Sequence, residues 1–453
     1  MILRLSVVLI LLLPFSAGAQ PTPAGATEET PAGLWARCRP TLLPYNYTIV
    51  KDEIVPSDTV VGMKLRRIEV KFYSQELEGR KWGHPCVIFA PAERRLYARG
   101  ARRGRVVIVG QRSWDGLATG PWRDAFLGNY GEPIAARTGY PTMICPVPGE
   151  YDGEDGREIS IGFLSAYYQK TGQLYDHPLF RIGVPYLLAL DVMADVLRLP
   201  RQDIRAVVGG HSKRATPIPA MAAADPRIVG IVYMGNESAW SRHHLESKER
   251  VLYPPYCRKW SNAKTLYIGG TNEDGYAMYR INAIQASMGN SWTIEMVPNY
   301  RHASQSEKHP LDWMMWIAHV FDGRPITTIR DLSYERKGAD FLWGGRKYGA
   351  GTLFRCRIDS PNKLIMVKVW YVYNDDPPYW RDLVWYPEFM VRQPDGSWAG
   401  YVTGKLPDAW MVEVKDTAQG FPGYVTSLPQ DLTGLPVETR RSRGSRSRHW
   451  SPE

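Results

Sequence analysis

Val207-Val208-Gly209-Gly210-His211-Ser212-Lys213-Arg214 joins an apolar run to a glycine pair, a serine and two cations, and small residues follow. A strand that ends this way presents a hydroxyl at its tip and reverses at once into a helix. Such an elbow tolerates little bulk beside the serine. Gly210 supplies the small residue upstream. Downstream, Arg214 stands two after the serine and Ala215 next, so the match is to a looser G-x-S-x-x-small pattern. The bland alternative is a serine that only caps a helix. Pro217 and Pro219 predict that the helix behind Ser212 is kinked or begins late, because proline removes a helix hydrogen bond beyond the first turn.

Working outward, 66–72 alternates through Ile68, Val70 and Phe72, and apolar runs over 85–90, 105–110, 142–145, 204–209, 228–234, 265–270 and 292–297 read as strands. Helical spacing falls at 132–137, from Pro185 to the stop at Pro200, at 281–288 and at 311–321. Strands alternating with helices predict a mostly parallel sheet covered on both faces, with ligands at the carboxyl ends of its strands. From Ile326 the helical patterns cease. Short alternating runs at 364–373, 384–391, 397–402 and 410–414, separated by turns such as Pro394-Asp395-Gly396, predict a small antiparallel β-sandwich. The expected division is 1–19 signal peptide, 20–34 mobile leader, 35–325 α/β domain, 326–432 β-sandwich and 433–453 disordered Ser/Arg-rich tail.

Met1 to Ala19 has an early Arg4, an apolar core too short to span a bilayer and the small-x-small ending Ala17-Gly18-Ala19, so export to the periplasm or exterior is expected. No later stretch approaches a transmembrane helix. Five cysteines, Cys38, Cys86, Cys145, Cys257 and Cys356, show no C-x-x-C spacing, which argues against zinc; the pair His243-His244 lacks a partner at metal spacing. Cys86 and Cys145, each in an apolar run, are expected as buried free thiols. The net charge of +10 owes much to Arg440, Arg441, Arg443, Arg446 and Arg448 in the tail. Basic residues are not interleaved with aromatics over a folded surface, so nucleic acid is not the expected partner. No metal or cofactor is expected, and no oligomeric state follows from the sequence.

A serine becomes a useful nucleophile when a base lies within hydrogen-bond reach and a carboxylate fixes that base's tautomer. His302, just past the strand ending at Val297-Pro298, is the candidate base; His309 belongs to the start of the next helix. Glu273 is the favoured acid, Asp274 an alternative, and Glu237 a further one that also suits a pair with Arg242. Backbone N–H groups of Lys213 and of Gln111 or Arg112 are the candidate oxyanion donors, each worth about 3 kcal/mol in such sites. The side chains of Lys213 and Arg214 hold a substrate carboxylate, assist the oxyanion, or pair with acidic loop residues such as Glu237.

Ser74-Gln75, Trp82-Gly83-His84, Ala189-Leu190-Asp191, Ser212-Lys213-Arg214, Asp225-Pro226-Arg227, Gly270-Thr271-Asn272-Glu273, Val297-Pro298-Asn299 with His302, and Arg381-Asp382 with Trp385 follow in order the pattern of the PhoPQ-activated pathogenicity-related proteins, which this chain resembles from about Phe72 to Thr426. The resemblance implies an exported protein of α/β-hydrolase fold with a β-rich C-terminal part, and maps Ser212, Glu273 and His302 onto that family's triad. Ala215, Val109-Gly110-Gln111 and Glu273 depart from the family's usual residues. Ser212-Lys213 and Asn236-Glu237-Ser238 also look like glucuronoyl esterases. The expectation is a serine hydrolase, an esterase before a peptidase, acting on a small-molecule or glycan ester. The alternatives are a hydrolase-fold binding or signalling protein without turnover, and an esterase specific for sugar acids.

Overall fold

The structure, a computed structural model, describes residues 29–111, 127–154, 157–235, 247–273, 288, 292–302, 306–374 and 382–433. The expected signal peptide, all of the tail after Thr433 and the expected helix at 281–288, save Met288, lie outside the described residues.

The strands of the main sheet are β1 Tyr47–Pro56, β2 Lys64–Leu77, β3 Arg80–Pro91, β4 Arg105–Gln111, β5 Thr142–Pro146, β6 Glu150–Tyr151, β7 Arg205–His211, β8 Ile228–Met234, β9 Lys264–Gly270 and β10 Trp292–Val297. Their order is β1-β2-β3-β5-β4-β7-β8-β9-β10, with β6 on β3. The pairs from β5 through β4 to β10 are parallel, and those among β1, β2, β3 and β5 antiparallel. Val106 and Ile108 of β4 enter one core while Val107 and Val109 enter the other, because successive side chains point to opposite faces. Both faces are therefore covered, by helices α1 Pro31–Cys38, α2 Glu132–Thr138, α3 Ile161–Thr171, α4 Pro178–Leu197, α5 Ile218–Ala224 and α6 Lys308–Asp322. This is the α/β-hydrolase fold.

Two local expectations are corrected. The leader was expected to run to residue 34, but α1 starts at Pro31: Thr30 accepts from Gly33 N at 3.0 Å, and Leu34 and Cys38 are fully buried in the core. A stretch rich in Pro, Thr and Ala hides a two-residue apolar stripe that suffices for docking. Helix α4 does not open at Pro185 but at Pro178, with His177 capping it. Pro185 leaves the Arg181 carbonyl without its helical donor, and the side-chain amide of Gln75 donates to that oxygen at 3.0 Å. The expected helix at 132–137 is present as α2.

The C-terminal part holds β11 Thr328–Lys337, β12 Phe341–Trp343, β13 Arg346–Tyr348, β14 Gly351–Asp359, β15 Lys363–Val372, β16 Tyr386–Phe389, β17 Val391–Arg392, β18 Trp398–Thr403, β19 Ala409–Ala418, β20 Phe421–Thr426 and β21 Gln430–Asp431. One antiparallel sheet runs β11-β14-β18-β17, the other β16-β15-β19-β20 with β21 on β19, and β12 pairs β13. Phe354 of the first sheet meets Trp410 of the second with ring centroids 4.7 Å apart, so their inner faces close a sandwich. Its core is continuous with the core under α6, where a Cβ on Gly423 would stand 2.3 Å from Met315 Sδ. All five cysteines are free and buried; the Cys86 thiol donates to the His84 carbonyl at 3.5 Å and the Cys145 thiol to the Pro146 carbonyl at 3.8 Å.

Candidate active site

Three turns at the carboxyl edge of the sheet converge. Ser212 follows β7 with φ 59°, a left-handed conformation that costs a non-glycine residue about 1–2 kcal/mol. A Cβ on Gly210 would lie 2.9 Å from Tyr186 Oη and 3.1 Å from Arg214 Cβ, so the sharp turn depends on that glycine. Tyr186 Oη donates to the Arg214 carbonyl at 2.9 Å and fixes the turn from below. Ser212–Arg214 make one 3-10 turn; Pro217 then caps α5 and Pro219 falls in its first turn. The helix begins late, and neither proline removes an interior hydrogen bond.

Glu273 follows β9 and His302 follows β10. The structure brings both to Ser212: His302 Nε2 is 2.8 Å from Ser212 Oγ, and His302 Nδ1 is 2.8 Å from Glu273 Oε2. An ionised carboxylate can only accept, so the ring proton belongs on Nδ1 and the Nε2 lone pair faces the serine O–H. Glu273 is 4 % exposed and His302 32 % at the side chain, which leaves the imidazole open to solvent while the acid is shielded.

The turns are locked to each other. A Cβ on Gly270 would stand 2.2 Å from the Tyr300 carbonyl oxygen, and that oxygen accepts from Asn272 N at 2.9 Å. Asn299, at φ 61°, has its backbone N–H on Thr271 Oγ1 at 2.9 Å. Its side chain reaches the sandwich part: Nδ2 donates to the Trp385 carbonyl at 2.9 Å, and Trp385 N donates to Asn299 Oδ1 at 2.7 Å. Asn272 Nδ2 donates to the Leu383 carbonyl at 2.5 Å, and Arg301 pairs with Asp382 at 2.8 Å. Residues 382–385 thus brace the loops that carry Glu273 and His302.

Lys213 and Arg214 both turn to Glu158. Lys213 Nζ is 2.7 Å from Glu158 Oε2, and Arg214 Nη2 pairs with Glu158 Oε1. Burial pushes the Glu158 carboxyl up, but Arg214 and Lys213 outweigh it and hold the group below the usual carboxylate range. Glu158 carried no role in the sequence reading, and nothing local in the chain marks it. His211 was quoted there without a task; its ring lies 4.7 Å from that of His302. Burial, followed by His302, Arg214 and His309, pushes its pKa down to about 3.

Among the other candidates, Gln111 closes β4, buried, its carbonyl accepting from Val147 N at 2.8 Å. Asp274, Glu237 and Arg112 lie outside the described residues. Four motifs of the resemblance turn out to be scaffolding. Ser74 Oγ lies 2.7 Å from His84 Nε2, fully buried; Arg227 ties Asp191 to Asp225; and Gln75 serves α4. A roomier cavity of about 410 Å³ opens at the starts of β9 and β10, beside Lys264, Thr265 and Trp292, and holds none of Ser212, Glu273 or His302.

No protein-family model matches the chain, and no curated protein matches it. Solved structures do. Acetyl xylan esterase 1 from a Thermoanaerobacterium species is 13 % identical over 65 % of this chain and 96 % of its own, with a TM-score of 0.38. Candida antarctica lipase A in its closed state is 12 % identical over 61 % of this chain and 82 % of its own, TM-score 0.38. A Xanthomonas campestris α/β serine hydrolase without lid is 11 % identical over 62 % and 96 %, TM-score 0.33.

Proposed function

We propose that this chain is an exported serine hydrolase that cleaves carboxylic esters through an acyl-enzyme on Ser212. The observation that carries the reading is the unbroken relay Glu273–His302–Ser212, with both links at 2.8 Å. In the first step Ser212 Oγ attacks the ester carbonyl while His302 Nε2 takes its proton, and Glu273 stabilises the imidazolium without itself being protonated. The oxyanion forms beside the backbone N–H of Lys213 and a donor at the end of β4, from Gln111 or Arg112. His302 then gives the proton to the departing alcohol. A water attacks the acyl group with His302 again as base, and Ser212 is regenerated.

Glu158 shapes the expected substrate. It already engages both Lys213 and Arg214 and offsets one of their two charges, which weakens their hold on a substrate carboxylate and favours a neutral acyl group, such as a small-molecule or acylated-glycan ester, over a uronate held by those cations. The intact relay speaks for turnover over the binding-protein alternative. Export rests on residues 1–19; no helix among the described residues is long and apolar enough to cross a membrane. The likeness to the PhoPQ-activated pathogenicity-related proteins stands as part of the same reading.

The test is pre-steady-state hydrolysis of p-nitrophenyl acetate by purified protein. A burst of one nitrophenolate per chain is expected, absent in Ser212→Ala and in His302→Ala. Turnover that survives both substitutions would overturn the assignment.

A further inference from the structure

His211, the residue before the proposed nucleophile, has no task in the relay, yet it shares a pocket with Glu273, His302 and His309. The ligand atoms of His211, Glu273 and His302 all lie within 4.8 Å of one another. The space between two of them is kept open by a glycine: a Cβ on Gly235 would stand 2.8 Å from Glu273 Oε1 and 3.1 Å from His211 Nε2. The geometry points to a binding site here for a zinc-class divalent cation, held by His211, Glu273 and His302, whose occupancy switches Ser212 off.

The donor chemistry selects the class of ion. Two imidazoles and one carboxylate suit zinc, whereas magnesium and calcium prefer all-oxygen sites. Ligand atoms on a tetrahedral zinc lie about 3.3 Å apart, from bonds of about 2.0–2.1 Å. Donors already within 4.8 Å therefore close on the ion by side-chain rotation. The nearby cations Lys213 and Arg214 are engaged by Glu158, and the partly exposed His302 ring gives the ion a way in. The expectation that the chain has no metal site considered cysteine spacing and His243-His244; these three donors come from separate turns that no sequence spacing relates.

Either ring nitrogen of His302 gives the same outcome. A metal on Nε2 takes the lone pair that would receive the serine proton. A metal on Nδ1 moves the ring proton to Nε2, and the serine again faces an N–H. This inhibitory consequence rests on the serine-hydrolase reading; the binding itself does not.

The experiment is isothermal titration calorimetry of zinc chloride into metal-stripped full chain, in a non-chelating buffer near pH 7. Expected are one ion per chain, a loss of at least about tenfold in affinity for His211→Ala and for Glu273→Gln, parent-like affinity for Ser212→Ala, and no heat with magnesium. No zinc binding, or parent-like binding in both His211→Ala and Glu273→Gln, would overturn the site. In parallel, zinc should block fluorophosphonate labelling of the parent and EDTA should restore it, while His211→Ala keeps whatever labelling it has when zinc is added. A chain that takes no probe even with EDTA counts against the Ser212 reading, and the calorimetry still judges the metal site by itself.

Discussion

Asn299 offers a sharp perturbation, because it couples the β10 turn to the sandwich part with two hydrogen bonds and sits in a left-handed conformation. Asn299→Gly keeps the φ of 61° accessible and deletes only the side chain. The deleted contacts are Nδ2 to the Trp385 carbonyl at 2.9 Å and Trp385 N to Oδ1 at 2.7 Å. Trp385 is 1 % exposed, so its peptide groups gain little water in exchange. Each bond lost with a partner left unsatisfied costs about 1–3 kcal/mol, and the pair together about 2–6 kcal/mol. Asn299→Ala should cost about 1 kcal/mol more, the added strain of alanine at positive φ. Equilibrium urea denaturation reads both values. The turn also carries His302, and misplacing a reacting group by about 1 Å costs roughly a hundredfold in rate. Ester kcat should therefore fall between about tenfold and a hundredfold, with little change in KM or in the pH midpoint of kcat. Parent-like stability and kcat in Asn299→Gly would refute the brace. Equal losses in the glycine and alanine variants would refute the strain component.

Glu158→Gln should destabilise the chain by about 1.5–3 kcal/mol, since hydrogen bonds to charged groups are lost beside the buried Arg214. In the parent the Glu158 carboxyl lies below its unfolded value, so its contribution is present above the ordinary carboxylate range and is lost as pH falls through the lowered value. Urea midpoints followed from pH 6 to 3 should drop less steeply in Glu158→Gln. His84 works in the same direction at higher pH. Burial lowers it from 6.5 to about 4, so the unfolded chain binds the proton first; stability is full above about 6.5 and declines as pH falls toward 4. That drop corresponds to about 3 kcal/mol, and the difference in unfolding free energy between pH 7 and 4 should shrink by about that amount in His84→Asn.

The main sheet was legible because parallel strands buried on both faces are written as continuous apolar runs, and β4, β5, β7, β8, β9 and β10 all fall on such runs. Strand β1 was missed for the opposite reason: it is an edge strand with most of its side chains exposed, so no alternation marks it. Strand β11, also an exposed edge strand, escaped notice in the same way, whereas β14 was missed although it lies between β11 and β18 with most of its side chains buried. At the site, the order serine, acid, histidine pointed to Ser212 and His302. Glu273 was favoured over Asp274 only by its place three after Gly270, because adjacent residues differ only in the direction their side chains take. Partners far apart in the chain were beyond sequence reasoning altogether. Glu158 reaches Lys213 across 55 residues, and Asn299 reaches Trp385 across 86. The only trace of the second pair was that both residues recur in the ordered motif set.

Active-site labelling bears most directly on the claim that one serine, activated by the Glu273–His302 pair, does the chemistry. Purified protein treated with a fluorophosphonate, digested and mapped by mass spectrometry should carry a single phosphonate adduct, on Ser212. His302→Ala should label at least about a hundredfold more slowly, in keeping with the loss of a positioned base. An adduct on any other residue, or labelling of Ser212→Ala at the parent's rate, would contradict the account.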